Sequence, residues 1–313
     1  IHDYIGFHPK PNYRVEGACA TGSMALRTGI MNVASGLADV VLVVGVEKMT
    51  EVPTSTATEI MGKAGDSIWE YPFGTTFPGY YAMIANAHMA EYGTTEEQLA
   101  MVSVKNHYYG SLNPYAQMQK AIDLQKALTS FTVAYPLKLY DCSLITDGAA
   151  AVIIASEERA KAISKKPVWI IGSGLATDSL RLSDRKSLTS ILAAREAAKT
   201  AYKMAGVGPA DIDVATVHDC FTIAEIVAYE DLGFCEKGEG GKYTWLPRQD
   251  QLQDIVLPMF ERNCSWLLEE CYKHLQLPHS SKPESMEQIW LSFVMKEKFG
   301  KTWDGQNWIG GDK

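Results

Sequence analysis

Residues 16–27, Glu16-Gly17-Ala18-Cys19-Ala20-Thr21-Gly22-Ser23-Met24-Ala25-Leu26-Arg27, decide how this chain reads. A cysteine stands among small residues just before an apolar pattern, Met24, Leu26, Ile30 and Val33, whose spacing predicts a helix. A thiol at that place meets the unpaired N–H groups and positive dipole end of the helix, which favour thiolate and draw its pKa down from about 8.5. Such a thiolate is a nucleophile at neutral pH. Gly17, Ala18, Ala20, Gly22 and Ser23 leave room beside the sulfur for a substrate carbonyl. The competing reading is a buried structural cysteine, the commoner fate of a lone cysteine on an apolar helix.

Outward from this stretch, a short strand is expected at 13–15, delivering Cys19 to its helix. The β-branched run 39–47 reads as a strand buried on both faces of a sheet. From 50 to 140 the composition changes: Tyr, Met, Asn, Gly and Pro punctuate helices expected at 80–92 and 95–107, the second opened by the cap signal Thr94-Thr95-Glu96-Glu97. The small residues of 141–151 suit close strand–helix packing, a structural rather than catalytic role, and a strand follows at 152–155. After the basic turn 164–167 the order is strand 168–172, helix 190–205, strand 213–217 and helix 223–232, a loose repeat of the first half. Gly172-Ser173-Gly174 is no dinucleotide loop, because Thr177 occupies the third small position. At the end of the second of these strands stands His218-Asp219-Cys220-Phe221, where open α/β sheets place their chemistry.

The run EGACATGSMALRTGIMNVASGLADVVLVVGVEKMT (16–50) resembles the nucleophile segment of the thiolases, of the archaeal and sterol-carrier-protein type, and residues 218–221 resemble their HDCF motif. The resemblance extends over about 4–242. It implies an α/β fold with a duplicated αβαβα core. In those terms 1–49 is a partial N-terminal core with the nucleophile and 50–140 a loop domain covering the substrate. Residues 141–165 end the first core, and 166–242 are a partial second core. By the same resemblance Cys19 takes the acyl group from an acyl-CoA, His218 helps hold the oxyanion, and Cys220 moves the proton at the α-carbon. The implied activity is that of an acetyl-CoA C-acetyltransferase of lipid metabolism: Claisen condensation, or thiolysis of a 3-ketoacyl-CoA. Coenzyme A thioesters are then substrates, and no further cofactor is expected. The implied partners are a second copy of the chain, as dimer or larger homo-oligomer, and an assembly with hydroxymethylglutaryl-CoA synthase.

The sequence departs from the pattern in two places. The GHP histidine and HNxGG loop that complete the family's site are missing downstream of residue 221, so turnover is expected to be impaired; His8-Pro9 lies upstream of Cys19 in what reads as a surface loop. The front of the first core is also missing, which implies N-terminal truncation. Residues 243–313 hold five of the seven tryptophans and only four of the 25 glycines, a shift that marks a foreign, helical segment with helices expected at 249–257, 262–275 and 285–299. The alternatives are a non-catalytic thiolase remnant serving as a scaffold, a ketoacyl synthase, which would need two further histidines, or an artefactual fusion of two reading frames.

Composition sets the outer bounds. With 313 residues, 46% of them hydrophobic, the chain has the material for two domains or one large α/β unit. A net charge of −8 without a basic block argues against a nucleic-acid surface. The longest apolar run, 40–46, is too short to span a bilayer, and a cytoplasmic, membrane-free protein is expected. Six cysteines without a CxxC pair and seven histidines without ligand spacing argue against zinc and against a disulfide framework.

Overall fold

The structure, a computed structural model, describes residues 4–244 and the backbone of two short strands near the C-terminus. The apolar pattern after Cys19 folds as α1 (Thr21–Ala34), which lies against an antiparallel pair, β1 (Val40–Glu47) and β4 (Gly148–Ala155). Val40 stands opposite Ala155 and Glu47 opposite Gly148. Gly29 of α1 meets Val43 and Ile154 directly. The expectation that β1 is buried on both faces is corrected: Val46 is 58% exposed, and Ile153 of β4, opposite Leu42, is 67% exposed. An alternating or continuous apolar run states what a strand is able to bury. Here α1 supplies one covering layer, and among the described residues no second layer lies on the other face.

The middle of the chain is helical: α2 (Thr54–Gly62), α3 (Phe77–Tyr92), α4 (Glu96–Leu112) and the short α5 (Leu124–Leu128). Pro78 opens α3, and Gly93, at φ 74°, closes it in the left-handed region. Thr95 starts α4 with a full capping box, its Oγ1 accepting from Gln98 N while Gln98 Oε1 accepts from Thr95 N. A hairpin, β2 (Thr132–Ala134) and β3 (Leu137–Lys138), leads back to β4, after which come α6 (Glu157–Ile163), α7 (Leu192–Ala205), α8 (Thr222–Asp231) and the one-turn α9 (Gly240–Tyr243).

The main core lies where α3, α4 and α8 meet: Ile84 and Ala85, Leu99 and Val102, and Ile223, Ile226 and Val227 close on Leu137 and Phe221. Each such fully buried aliphatic side chain contributes about 1.5–3 kcal/mol of burial free energy. Helix α8 of the second half is therefore anchored on helices of the middle segment. A buried polar tie reinforces this: His88 Nε2 lies 3.1 Å from Glu230 Oε2, and Lys237 pairs with both Glu230 and Asp231.

Three expected strands, 13–15, 168–172 and 213–217, are irregular and make no ladder. Their β-branched residues carry the propensity, but a strand exists only when a neighbour completes its hydrogen bonds. The Gly172-Ser173-Gly174 run has a packing role. A Cβ on Gly174 would lie 1.8 Å from the Ala197 carbonyl oxygen, and one on Gly172 2.5 Å from that of Ala201, so the segment runs directly on the backbone of α7. Arg27 of α1 reaches the same run, donating to Ser173 O at 2.7 Å.

A second unit comprises residues 245–313, in which β5 (Thr302–Trp303) and β6 (Trp308–Ile309) pair antiparallel. The helices expected at 249–257, 262–275 and 285–299 lie outside the described residues. Among the described residues no helix is long and apolar enough to cross a membrane.

Candidate active site

Cys19 is exposed and sits in a single 3₁₀ turn, Ala18–Ala20, immediately before α1. The turn is entered through Ala18 at φ 49°, a left-handed conformation that an L-residue with a Cβ adopts at a cost of roughly 1–2 kcal/mol. Glu16 holds it there. Its Oε1 accepts from Ala18 N at 2.9 Å, from Gly17 N at 3.2 Å and from the Thr21 hydroxyl at 2.9 Å, while Arg14 pairs with Oε2 at 2.8 Å. Thr21 Oγ1 in turn accepts from Gly17 N at 2.9 Å. These partners, Arg14 first and then Thr21 and Ala18, pull the Glu16 carboxyl down to about 2. Gly17 leaves room for Met24, whose Sδ would lie 2.1 Å from a Cβ at that position.

The second turn, 218–221, stands at the N-terminus of α8 and not at the end of a strand, which corrects the expectation from the sequence. Two ties from the first half set it. Cys142 and Phe221 form an antiparallel bridge, with Ser143 N donating to Cys220 O at 2.9 Å. Below it, buried Asp141 accepts from the Thr222 hydroxyl at 2.9 Å and from Lys138 N at 2.8 Å. Burial raises the Asp141 carboxyl, with both hydrogen bonds opposing.

Burial also pushes the Cys220 thiol up to about 12, partly offset by a hydrogen bond from Tyr81. The Tyr81 ring stacks on Phe221 with centroids 4.6 Å apart, and its hydroxyl is raised by burial first and by Cys220 second. Cys142 behaves like Cys220, raised to about 12 by burial and then by the Asp141 charge. Asp219, between His218 and Cys220, accepts from Asn106 Nδ2 of α4 at 2.9 Å.

The three residues singled out in the sequence, Cys19, His218 and Cys220, line one groove of about 2250 Å³, together with Tyr81, His107 and Cys142. Typical small-molecule sites occupy about 300–1,000 Å³, so the groove admits an extended ligand. His107 Nδ1 lies 3.0 Å from Ser103 O and therefore carries the proton in that bond. Among the described residues no group of three or more His, Cys, Asp or Glu side chains is arranged to hold a metal. The arrangement offers an accessible thiol, a second thiol that keeps its proton at neutral pH, an imidazole and a phenol around one space. Glu16, Tyr81 and Asn106 escaped the sequence reading. Only Glu16 carried a signal there, as a carboxylate two residues ahead of a main-chain N–H at the head of a helix.

The thiolase N-terminal domain description matches residues 4–158, and the thiolase C-terminal domain-like description matches residues 172–248. An acetyl-CoA acetyltransferase of Methanothermobacter thermautotrophicus is 51% identical over 242 residues, covering 77% of this chain and 63% of that protein. Sterol carrier protein 2 of Bos taurus is 35% identical over 256 residues, covering 77% of this chain and 47% of that protein. The chain thus spans less than two thirds of the length of these relatives. Among solved structures, the Ltp2-ChsH2(DUF35) aldolase superposes with a TM-score of 0.64 at 29% identity, over 76% of this chain and 62% of that one.

Proposed function

This chain belongs to the thiolase family and has its α/β fold, and we propose that it acts as an acyl-CoA acyltransferase through a Cys19-bound acyl group. One observation carries the reading: Cys19, His218 and Cys220 line a single groove in which one thiol is exposed and the other half-buried. In the first half-reaction Cys19 sulfur, as its thiolate, attacks the thioester carbonyl, His218 donates a hydrogen bond to the developing oxyanion, and the Cys220 thiol gives its proton to the departing coenzyme A sulfur, which leaves as its thiol. A donor aimed at such an oxyanion lowers the barrier by about 3–4 kcal/mol. In the second, the Cys220 thiolate left by that proton transfer takes a methyl proton from acetyl-CoA, becoming a thiol again, and the resulting carbanion attacks the acyl carbon. The product is a 3-ketoacyl-CoA, and Cys19 sulfur is released. Run backwards, thiolysis needs a proton donor at the α-carbon, and a thiol raised to about 12 by burial holds its proton for that step.

Incubation of the full chain with acetyl-CoA, followed by peptide mass spectrometry, tests the reading. It should place an acetyl group on the Cys19 peptide, absent in Cys19→Ala. A folded protein whose Cys19 stays unlabelled overturns it.

A further inference from the structure

The turn carrying His218 and Cys220 is held by a side chain 113 residues earlier than its middle residue. Asn106 Nδ2 donates to Asp219 Oδ2 at 2.9 Å and to Glu225 Oε2 at 2.9 Å, and Asn106 Oδ1 accepts from Lys105 Nζ at 2.7 Å. Glu225 is 2% exposed, pairs with Lys105 at 2.5 Å and accepts from the Tyr229 hydroxyl. Each bond uses a capacity that only an amide combines: two N–H groups for two carboxylates and one oxygen for an ammonium. An aspartate here would repel both acids, and an apolar residue would leave Asp219 without its tie. Nothing in the acyl-transfer scheme uses Asn106, yet it spans from α4 to the residue between His218 and Cys220.

We propose that Asn106 is a positioning residue. Through Asp219 it orients the 218–220 turn so that His218 and Cys220 face the groove that Cys19 enters, and it couples the middle helices to chemistry at the α-carbon. Its chemical meaning rests on the acyl-transfer reading above; its structural content does not. Asn106 touches no reacting atom and acts only through the 218–220 turn, so its loss falls on the steps that His218 and Cys220 serve and spares the Cys19 sulfur itself. Displacement of a reacting group by about 1 Å lowers a rate by roughly 10²-fold.

The test compares the full chain with Asn106→Leu and, should that variant fail to fold, with Asp219→Ala, which removes the partner and leaves the Lys105–Glu225 pair in place. Two readouts are taken at one pH: iodoacetamide labelling of Cys19 and Cys220 resolved by peptide, and deuterium exchange into the acetyl-CoA methyl group. The proposal expects Cys220 labelling to rise at least tenfold as its turn loosens, Cys19 labelling to stay within twofold, and methyl exchange to fall at least tenfold. Unchanged Cys220 labelling overturns it, and so does a parallel change at both cysteines, which would mean general loosening. A parent chain that neither acetylates Cys19 nor exchanges methyl protons sinks the acyltransfer reading instead, while the labelling contrast still decides the role of Asn106.

Discussion

Replacing Glu16 by Ala should disarm Cys19 without unfolding the protein. The carboxylate is the shared acceptor for Ala18 N, Gly17 N and the Thr21 hydroxyl, and it holds Ala18 at φ 49°. A left-handed alanine lies roughly 1–2 kcal/mol above its right-handed alternatives, so a turn with nothing to hold it is populated only about 3–20% of the time. Acetylation of Cys19 by saturating acetyl-CoA should therefore slow about 5- to 30-fold. The thermal midpoint should hardly move, because the carboxylate is at the surface, and iodoacetamide should still label the exposed sulfur at nearly the parent rate. Adding Ala18→Gly supplies a residue that enters this region at no steric cost and should return most of the lost rate. With its carboxyl held near 2, Glu16 stays charged as pH falls until that range is reached, so the clamp contributes throughout ordinary assay conditions. The reasoning is refuted if Glu16→Ala acetylates at the parent rate, or if the glycine fails to restore it.

Gly174→Ala places a Cβ 1.8 Å from the Ala197 carbonyl oxygen, so α7 must move; the cost is about 1–3 kcal/mol or more, visible as a lowered midpoint in calorimetry, and an unchanged midpoint would contradict the contact. Lys105→Met leaves Glu225 buried without its cation, and urea unfolding should show a loss of about 3–5 kcal/mol; a loss well below 1 kcal/mol would mean that Asn106 and Tyr229 satisfy the carboxylate alone. Cys142 and Cys220 are raised from 9.0 to about 12, so above pH 9 the unfolded chain releases protons that the folded one keeps. Their contribution to stability is complete below pH 9 and lost as pH rises toward 12. Urea midpoints should fall across that window and fall less in Cys142→Ala, and a flat profile would count against buried thiols.

What the residues announce locally, the fold delivers. Thr95 and Gln98 mark the start of α4, Pro78 and Gly93 bound α3, and the apolar spacing from Met24 to Val33 is α1 itself. Cys19, His218 and Cys220 were singled out through the resemblance of their segments to a family, and all three line one groove. The strands were less legible: 168–172 and 213–217 have β-forming residues and no ladder, while β1 pairs as expected yet stays open on one face. Pattern records what a segment is fit to bury and says nothing of what arrives to cover it. The supporting side chains were silent for a related reason. Tyr81 and Asn106 gain their meaning from Phe221 and Asp219, which lie far along the chain and meet them only after α3, α4 and α8 have packed.

The buried bond from Thr222 to Asp141 joins residues 81 positions apart, and that distance has a consequence for a chain still being made. A ribosome extends its product from the N-terminus at about 5–20 residues per second. Cys220 follows Cys19 by about 200 residues, so roughly 10–40 seconds separate the emergence of the nucleophile turn from that of the segment that completes the groove. During that interval Cys19 lacks His218 and Cys220, the two groups on which the proposed acyl transfer depends. On the proposed acyl-transfer reading, loading of the nascent protein waits until its second half has arrived.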